Sequence, residues 1–237
     1  MMTSVGVKKL ALLAAMLGLA SLCWAGSERR AVIDRLNNSA KVLDEIMGAP
    51  DRRIPDEIMK KAKCVAVVPH LIKGGFVFGA EHGKGIATCR TANGWSAPAF
   101  IKIAGGSWGT QIGAEEVDLV MVIKSEKGMQ KLLSSKFEIG RDASVAVGSV
   151  GRHSSENTDV KLDVLILTYS RAKGAFVGFT FKGAWVRADN RSRRAMYGPR
   201  VTTRATLLGR VRTPAAARPF LDAVRGAKAE AIAQTRK

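Results

Sequence analysis

Cys64-Val65-Ala66-Val67-Val68-Pro69 is where the chain changes its period. Upstream, Val32, Leu36, Ser39 and Ala40, Leu43, and Ile46 and Met47 recur at three- and four-residue steps, the spacing of one helical stripe. From Cys64 the apolar residues run together and stop at a proline. That pattern reads as a short strand buried on both faces. Downstream, Gly75–Ala80 and Gly85–Arg90 flank Glu81-His82-Gly83-Lys84, which reads as a hairpin turn, and Asn93-Gly94 is a second turn signal. Trp95–Ala104, Val117–Ile123, Ser144–Val150, Val160–Tyr169 and Ala175–Val186 read as further strands. In the last, Val177, Phe179, Phe181 and Trp185 share one face.

The helices fit around this run. Residues 28–48 are predicted to be helical, with Ser27 as cap and Gly48 and Pro50 as the stop. Arg29, Arg30, Arg35 and Lys41 lie off the apolar stripe. A second short helix opens at Pro55 with Asp56 and Glu57 and closes with Lys60 and Lys61, as the helix dipole favours. Glu126–Ser134 is a helix between strands. The expected fold class is α+β: a mainly antiparallel meander, sandwich- or barrel-like, with an N-terminal helix pair and one inserted helix.

Both ends of the chain read differently from the middle. Lys8 and Lys9 precede the apolar run Leu10–Leu22, and Ala25 is a small residue at the position of a cut. Residues 1–25 therefore read as a secretory signal peptide, with the periplasm as the expected compartment. Cys23 offers a lipoprotein as the minority reading. Residues 199–237, rich in Ala, Arg and Thr, read as a basic, weakly ordered tail, which leaves 26–198 as the folded domain.

Composition bounds the function. The chain has 237 residues, of which 46% are hydrophobic, enough for a core and too many for a disordered chain. Lys and Arg number 38 against 20 Asp and Glu, a net charge of +18, of which residues 1–25 hold only two lysines. An exported basic protein meets anionic lipid headgroups and lipopolysaccharide, so nucleic acid is not the expected partner. His70, His82 and His153 show no metal-ligand spacing and read as turn and strand-end residues. Gly83-Lys84-Gly85 lacks the spacing of a phosphate loop, and Glu115, Glu116 and Asp118 read as a solvated acidic turn. No nucleophile–base constellation stands out, so neither an enzyme nor a cofactor is expected. Cys64 and Cys89 lie at the edges of neighbouring strands. They read equally as a disulfide or as two buried thiols.

Eight runs carry a family resemblance. They are 62–69 (Ala-Lys-Cys-Val-Ala-Val-Val-Pro), 73–79 (Lys-Gly-Gly-Phe-Val-Phe-Gly), 94–99, 105–113 (Gly-Gly-Ser-Trp-Gly-Thr-Gln-Ile-Gly), 142–148, 151–152, 169–174 and 195–198 (Ala-Met-Tyr-Gly). In this order they resemble the SYLF domain, a lipid-binding module of bacterial exported proteins and eukaryotic actin-patch regulators. The resemblance implies membrane lipid binding through basic residues and an N-terminal amphipathic helix, with phosphoinositides as ligands in eukaryotic relatives. In a bacterial envelope the implied ligand is another anionic phospholipid, such as phosphatidylglycerol or cardiolipin. The candidate lipid-binding residues are Arg29, Arg30, Arg35, Arg52, Arg53, Lys60, Lys61, Lys63 and Lys73. The alternative is an envelope scaffold or stress protein whose domain binds an unknown protein partner.

Overall fold

The computed structural model describes residues 4–49, 53–75, 78–108, 113–134, 136–139, 145–147, 166–172, 175–177 and 184–234. The strands are β1 (Cys64–Gly75), β2 (Phe78–Thr91), β3 (Gly94–Trp95), β4 (Ala99–Trp108), β5 (Gly113–Ile123), β6 (Lys136–Glu138), β7 (Val145–Val147), β8 (Ile166–Ala172), β9 (Ala175–Val177) and β10 (Trp185–Ala188). They form one sheet in the order β6-β10-β4-β2-β1-β5-β8-β7, curled into a half-barrel, with β3 paired to β2 and β9 to β8. The β7–β8 pair is parallel. Among the described residues every other strand pair is antiparallel. The α+β class expected from the sequence is the observed one.

Each face of the sheet has its own core. Val65, Val67, Ile86, Phe100, Val120 and Val122 pack against α1 (Ser4–Met47), α2 (Asp56–Lys61) and α6 (Arg218–Gln234). Ala66, Val68, Ala87, Ile101, Leu119 and Met121 face the other way, with Leu132 and Leu133 of α3 (Glu126–Leu133) and Leu207 of α5 (Thr203–Leu207). Burial of both faces is why Cys64–Val68 is apolar without alternation.

Pro69 does not end β1. The strand continues through a bulge, where His70 takes φ 53° and the register to β5 shifts between Val68 and Leu71. Proline is tolerated because a bulge needs no ladder hydrogen bond at that position. The bulge also corrects the expected turn at 81–84, since β2 runs straight through it. A Cβ on Gly83 would come within 2.6 Å of Leu71 Cδ1, and one on Gly85 within 2.5 Å of the Val67 carbonyl oxygen. These glycines make room for the bulge across the ladder. The β1–β2 turn lies instead beyond the Gly75–Gly79 pair.

Two further expectations differ. Helix α1 runs on through Ser27, so that residue is no cap. Residues 199–226 are part of the fold rather than a weakly ordered tail: Phe220, Leu221 and Val224 of α6 are buried in the core against α1 and α2. The sequence does read as a short basic helix over Phe220–Ala233; its burial went unread, because its apolar stripe holds few large residues. Of the strands expected at 144–150, 160–169 and 175–186, the described residues carry β7, β8, β9 and β10; the rest of 144–150 and 160–169, and residues 178–183, lie outside the described residues. His153 and the runs at 142–144 and 148–152 lie outside the described residues.

Cys64 and Cys89 stand directly opposite in the β1–β2 register and are disulfide-bonded, with Cα atoms 4.0 Å apart. Arg90 N–H donates to the Lys63 carbonyl one step away, so the cysteines occupy the close, non-hydrogen-bonded position. The bond spans a sequence separation of 25 residues. Replacing both cysteines by Ala is expected to lower the urea-unfolding free energy by about 3 kcal/mol. Thiol blocking of the unfolded, unreduced protein should leave Cys64 and Cys89 unlabelled; labels on both would contradict the pairing.

Candidate functional site: the basic end of the sheet

The site begins where β1 starts, β2 ends and β5 ends. Lys63 N–H donates to the Ile123 carbonyl, and the Lys63 carbonyl accepts from Arg90 N–H. Lys63 thus joins Arg90, near the end of β2, to Ile123, the last residue of β5, which Lys124 follows. Alternation turns the Lys63 side chain to the face that carries α2, because Cys64 belongs to the opposite face. Lys60 and Lys61 close α2 just above it. Lys61 and Lys63 are exposed; Lys60, Lys124 and Arg90 are half-buried.

Arg90 holds this arrangement together. Its Nε donates to the Ala62 carbonyl at 3.2 Å and Nη2 to the Lys60 carbonyl at 3.4 Å, so it caps the C-terminal end of α2. Its guanidinium lies 5.1 Å from the Trp95 ring centroid. Trp95 is presented by the two-residue turn at Ala92-Asn93, in which Thr91 pairs with Gly94 (φ 103°). The disulfide pins β1 to β2 one residue inside the Lys63–Arg90 pair, where two like charges face each other. Sequence reading missed Arg90, Trp95 and Lys124. The signal that could have found them is the register through Cys64 and Cys89, which places Arg90 opposite Lys63.

The other candidate residues go elsewhere. Arg35 is buried: Nη1 donates to Asp189 Oδ2 at 3.4 Å and to Ser192 Oγ at 3.1 Å. It ties α1 to α4 (Asn190–Tyr197), whose cap is Asp189, and is committed to the fold rather than to a ligand. Burial lowers the Arg35 pKa, with Asp189 and Glu28 opposing. Burial pushes the Asp189 carboxyl up, but bonds from Ser192 and the charges of Arg35 and Lys84 outweigh it and hold the carboxyl below its usual range. Arg53 pairs with Asp56 at 2.7 Å and is mostly buried. Arg29 donates to the Ala195 carbonyl and Arg30 is exposed, both on α1 beside α4. Arg52 and the side chain of Lys73 lie outside the described residues. The stripe of α1 is no free lipid-facing surface either: Val32, Leu36, Leu43 and Ile46 are fully buried beneath the helix.

The acidic residues of β5 are strand residues rather than a turn. Glu116 bonds His70, and Asp118 accepts from His70 N–H and from Arg171, which also bonds Glu45 of α1. Among the described residues no three His, Cys, Asp or Glu side chains converge to hold a metal ion.

Residues 104–227 match the family model described as "Ysc84: Las17-binding protein actin regulator", more than half of the chain. The chain belongs to the Ysc84, or SYLF, family. It is 31% identical to Protein YSC84 of Saccharomyces cerevisiae over 202 residues, which cover 81% of this chain and 43% of that protein. It is 32% identical to the SH3 domain-containing YSC84-like protein 1 of Rattus norvegicus over 191 residues, 78% of this chain and 56% of that one. The chain therefore spans about half the length of the curated relatives it matches. The family match runs through α4, α5 and into α6, so these helices belong to the domain.

Asp189→Asn is expected to cost about 3 kcal/mol at neutral pH, because it leaves the buried Arg35 charge without its carboxylate. The folded-state pKa of Asp189 is depressed, so its contribution is full above the unfolded value of about 3.9 and fades as pH falls through the folded value. Urea melts of the wild type and the variant should differ at pH 7 and converge towards pH 3. A difference that persists undiminished at pH 3 would contradict the ion-pair account.

Proposed function

We propose that the chain is an exported, non-catalytic envelope protein that docks on anionic membrane lipid through the basic end of its sheet. The observation that carries this reading is the strand end at which Arg90 binds the Lys60, Ala62 and Lys63 carbonyls, with Lys61 beside them and Lys124 following Ile123, the partner of Lys63 N–H. Each Lys or Arg near an anionic surface contributes about 1 kcal/mol, within a Debye length of ~8 Å at physiological salt. Four such contacts bring a domain to a membrane without unpacking it. No described helix is long and apolar enough to cross a bilayer, so in this reading contact is peripheral.

Lys60→Glu, Lys61→Glu and Lys63→Glu together are expected to reduce cosedimentation with phosphatidylglycerol vesicles by at least about tenfold, with an unchanged circular dichroism spectrum. Phosphatidylcholine vesicles should bind weakly from the start, and about 0.5 M salt should abolish binding. Binding that survives both salt and charge reversal would sink the lipid reading. It would then favour the second one, an envelope scaffold with a protein partner. The family description, which names a Las17-binding protein, supports that alternative.

Export rests on Lys8, Lys9, the Leu10–Leu22 run and Ala25. A disulfide at Cys64–Cys89 suits an oxidising compartment. Protein from the envelope fraction should begin at Gly26 on N-terminal sequencing. An intact Met1 in cytosolic protein would refute export, and an acylated Cys23 would make it a lipoprotein.

A further inference from the structure

Away from the basic end, four cations stand in one line across four strands. The register pairs Lys84 of β2 with Lys102 of β4, Lys102 with Arg187 of β10, and Arg187 with Lys136 of β6. Their strand neighbours Ile101, Ile103, Val186 and Phe137 belong to the opposite core, so all four side chains rise from the same face. Arg187 and Lys136 are exposed, and Lys102 and Lys84 are half-buried. At a strand spacing of about 4.8 Å the row is roughly 14 Å long.

Like charges directly opposite on adjacent strands destabilise a sheet. Here three consecutive pairs are alike. Among the described residues part of this is offset: the charge of Lys84 helps keep the Asp189 carboxyl ionised, and the Trp185 ring receives Lys136 Nζ at 4.5 Å and the Arg187 guanidinium at 5.5 Å. Glu138, opposite Trp185, is an acid of the neighbouring rung.

We infer that this row is a binding site for a linear chain of phosphates. Charge complementarity sets the class. A row of positive charges one strand apart calls for negative charges at a similarly short repeat along a line, which consecutive phosphates supply. Singly charged lipid headgroups do not. Arg and Lys both bind phosphate oxygens by charge-assisted hydrogen bonds, and their flexible stems absorb the mismatch in repeat. The aromatic ring already carries two cations, so it is not offered to a nucleobase; this favours a bare phosphate chain over a nucleic acid. The row lies six residues along β2 from Arg90, about 20 Å, and is independent of the membrane-docking end.

The test is calorimetric titration of the purified chain with linear tripolyphosphate and with longer polyphosphate. Both should bind, the longer more tightly, and orthophosphate should not compete at equal phosphorus. Lys102→Gln with Arg187→Gln should weaken binding by at least about tenfold. Without ligand the variant should melt at or above the wild-type temperature, because repulsion is relieved; polyphosphate should raise the melting temperature of the wild type but not of the variant. If loss of the Trp185 contact unfolds that variant, Lys84→Gln with Lys102→Gln leaves the contact intact and should show the same loss. The row variants should keep wild-type binding to phosphatidylglycerol vesicles, and charge reversal at Lys60, Lys61 and Lys63 should keep polyphosphate binding. Equal polyphosphate binding by wild type and both row variants would overturn the inference. So would tighter binding of a single-stranded oligonucleotide of equal charge, or loss of vesicle binding alone in the row variants.

Discussion

Burial of the central strands on both faces is the constraint from which the rest follows. β1 lies between β2 and β5, and Val65 and Val67 point into one core while Ala66 and Val68 point into the other. No charged side chain can be placed along such a strand without losing its hydration. The acids of β5, Glu116 and Asp118, therefore stand at the bulge with His70 and Arg171, and the cations stand at the strand ends and towards β4, β10 and β6. Lys63, Arg90 and Lys124 gather at one strand end, and Lys84, Lys102, Arg187 and Lys136 form the row across the strands. A chain with this excess of cations must then bring like charges together, and the register decides which of them meet.

Two devices hold the crowded places. The disulfide fixes β1 to β2 beside the Lys63–Arg90 pair, where repulsion would otherwise fray the ladder end. Arg90 itself is turned inward to the carbonyls that close α2, which converts a repulsive neighbour into a helix cap. At the other side of the helical layer, Arg35 and Asp189 fasten α1 to α4 from inside. That pair is worth little as net stability against an apolar replacement, since two ions give up water. What it adds is position: it sets α1 over the sheet at one register.

Much of the fold was legible in the sequence, for physical reasons. Continuous apolar residues at 64–68 announce a strand buried twice, and the stripe from Val32 to Met47 announces a helix packed once. The bulge was not legible. Pro69 carries the local signature of a strand end, and only the ladder partners show that Gly83 and Gly85 are there to admit a protruding neighbour rather than to turn the chain. Helix α6 was legible as a short basic helix over Phe220–Ala233, but its alanines hid that it packs into the core. At the candidate site, Lys60, Lys61 and Lys63 were visible as a local run, whereas Arg90 and Lys124 join them only through pairing across strands. Arg35 shows the converse error. It stands three residues after Val32 and four before Ser39, at the edge of the apolar stripe, where α4, an element from the far end of the chain, covers it.

The same packing bears on the proposed membrane contact. Undocking α1 would expose Val32, Leu36, Leu43 and Ile46, each fully buried and each worth roughly 1.5–3 kcal/mol. The sum is of the order of the whole stability of a domain, about 5–15 kcal/mol. A bilayer could repay the helix its own share by taking up the stripe. It could not repay the sheet, because Val65, Val67, Val120 and Val122 beneath the helix would face water. Insertion thus loses one side of the interface outright. Contact through cations at the strand ends loses nothing internal. The described N-terminal helix from Val32 to Met47 is a roof of the core, so its apolar stripe is committed to the fold.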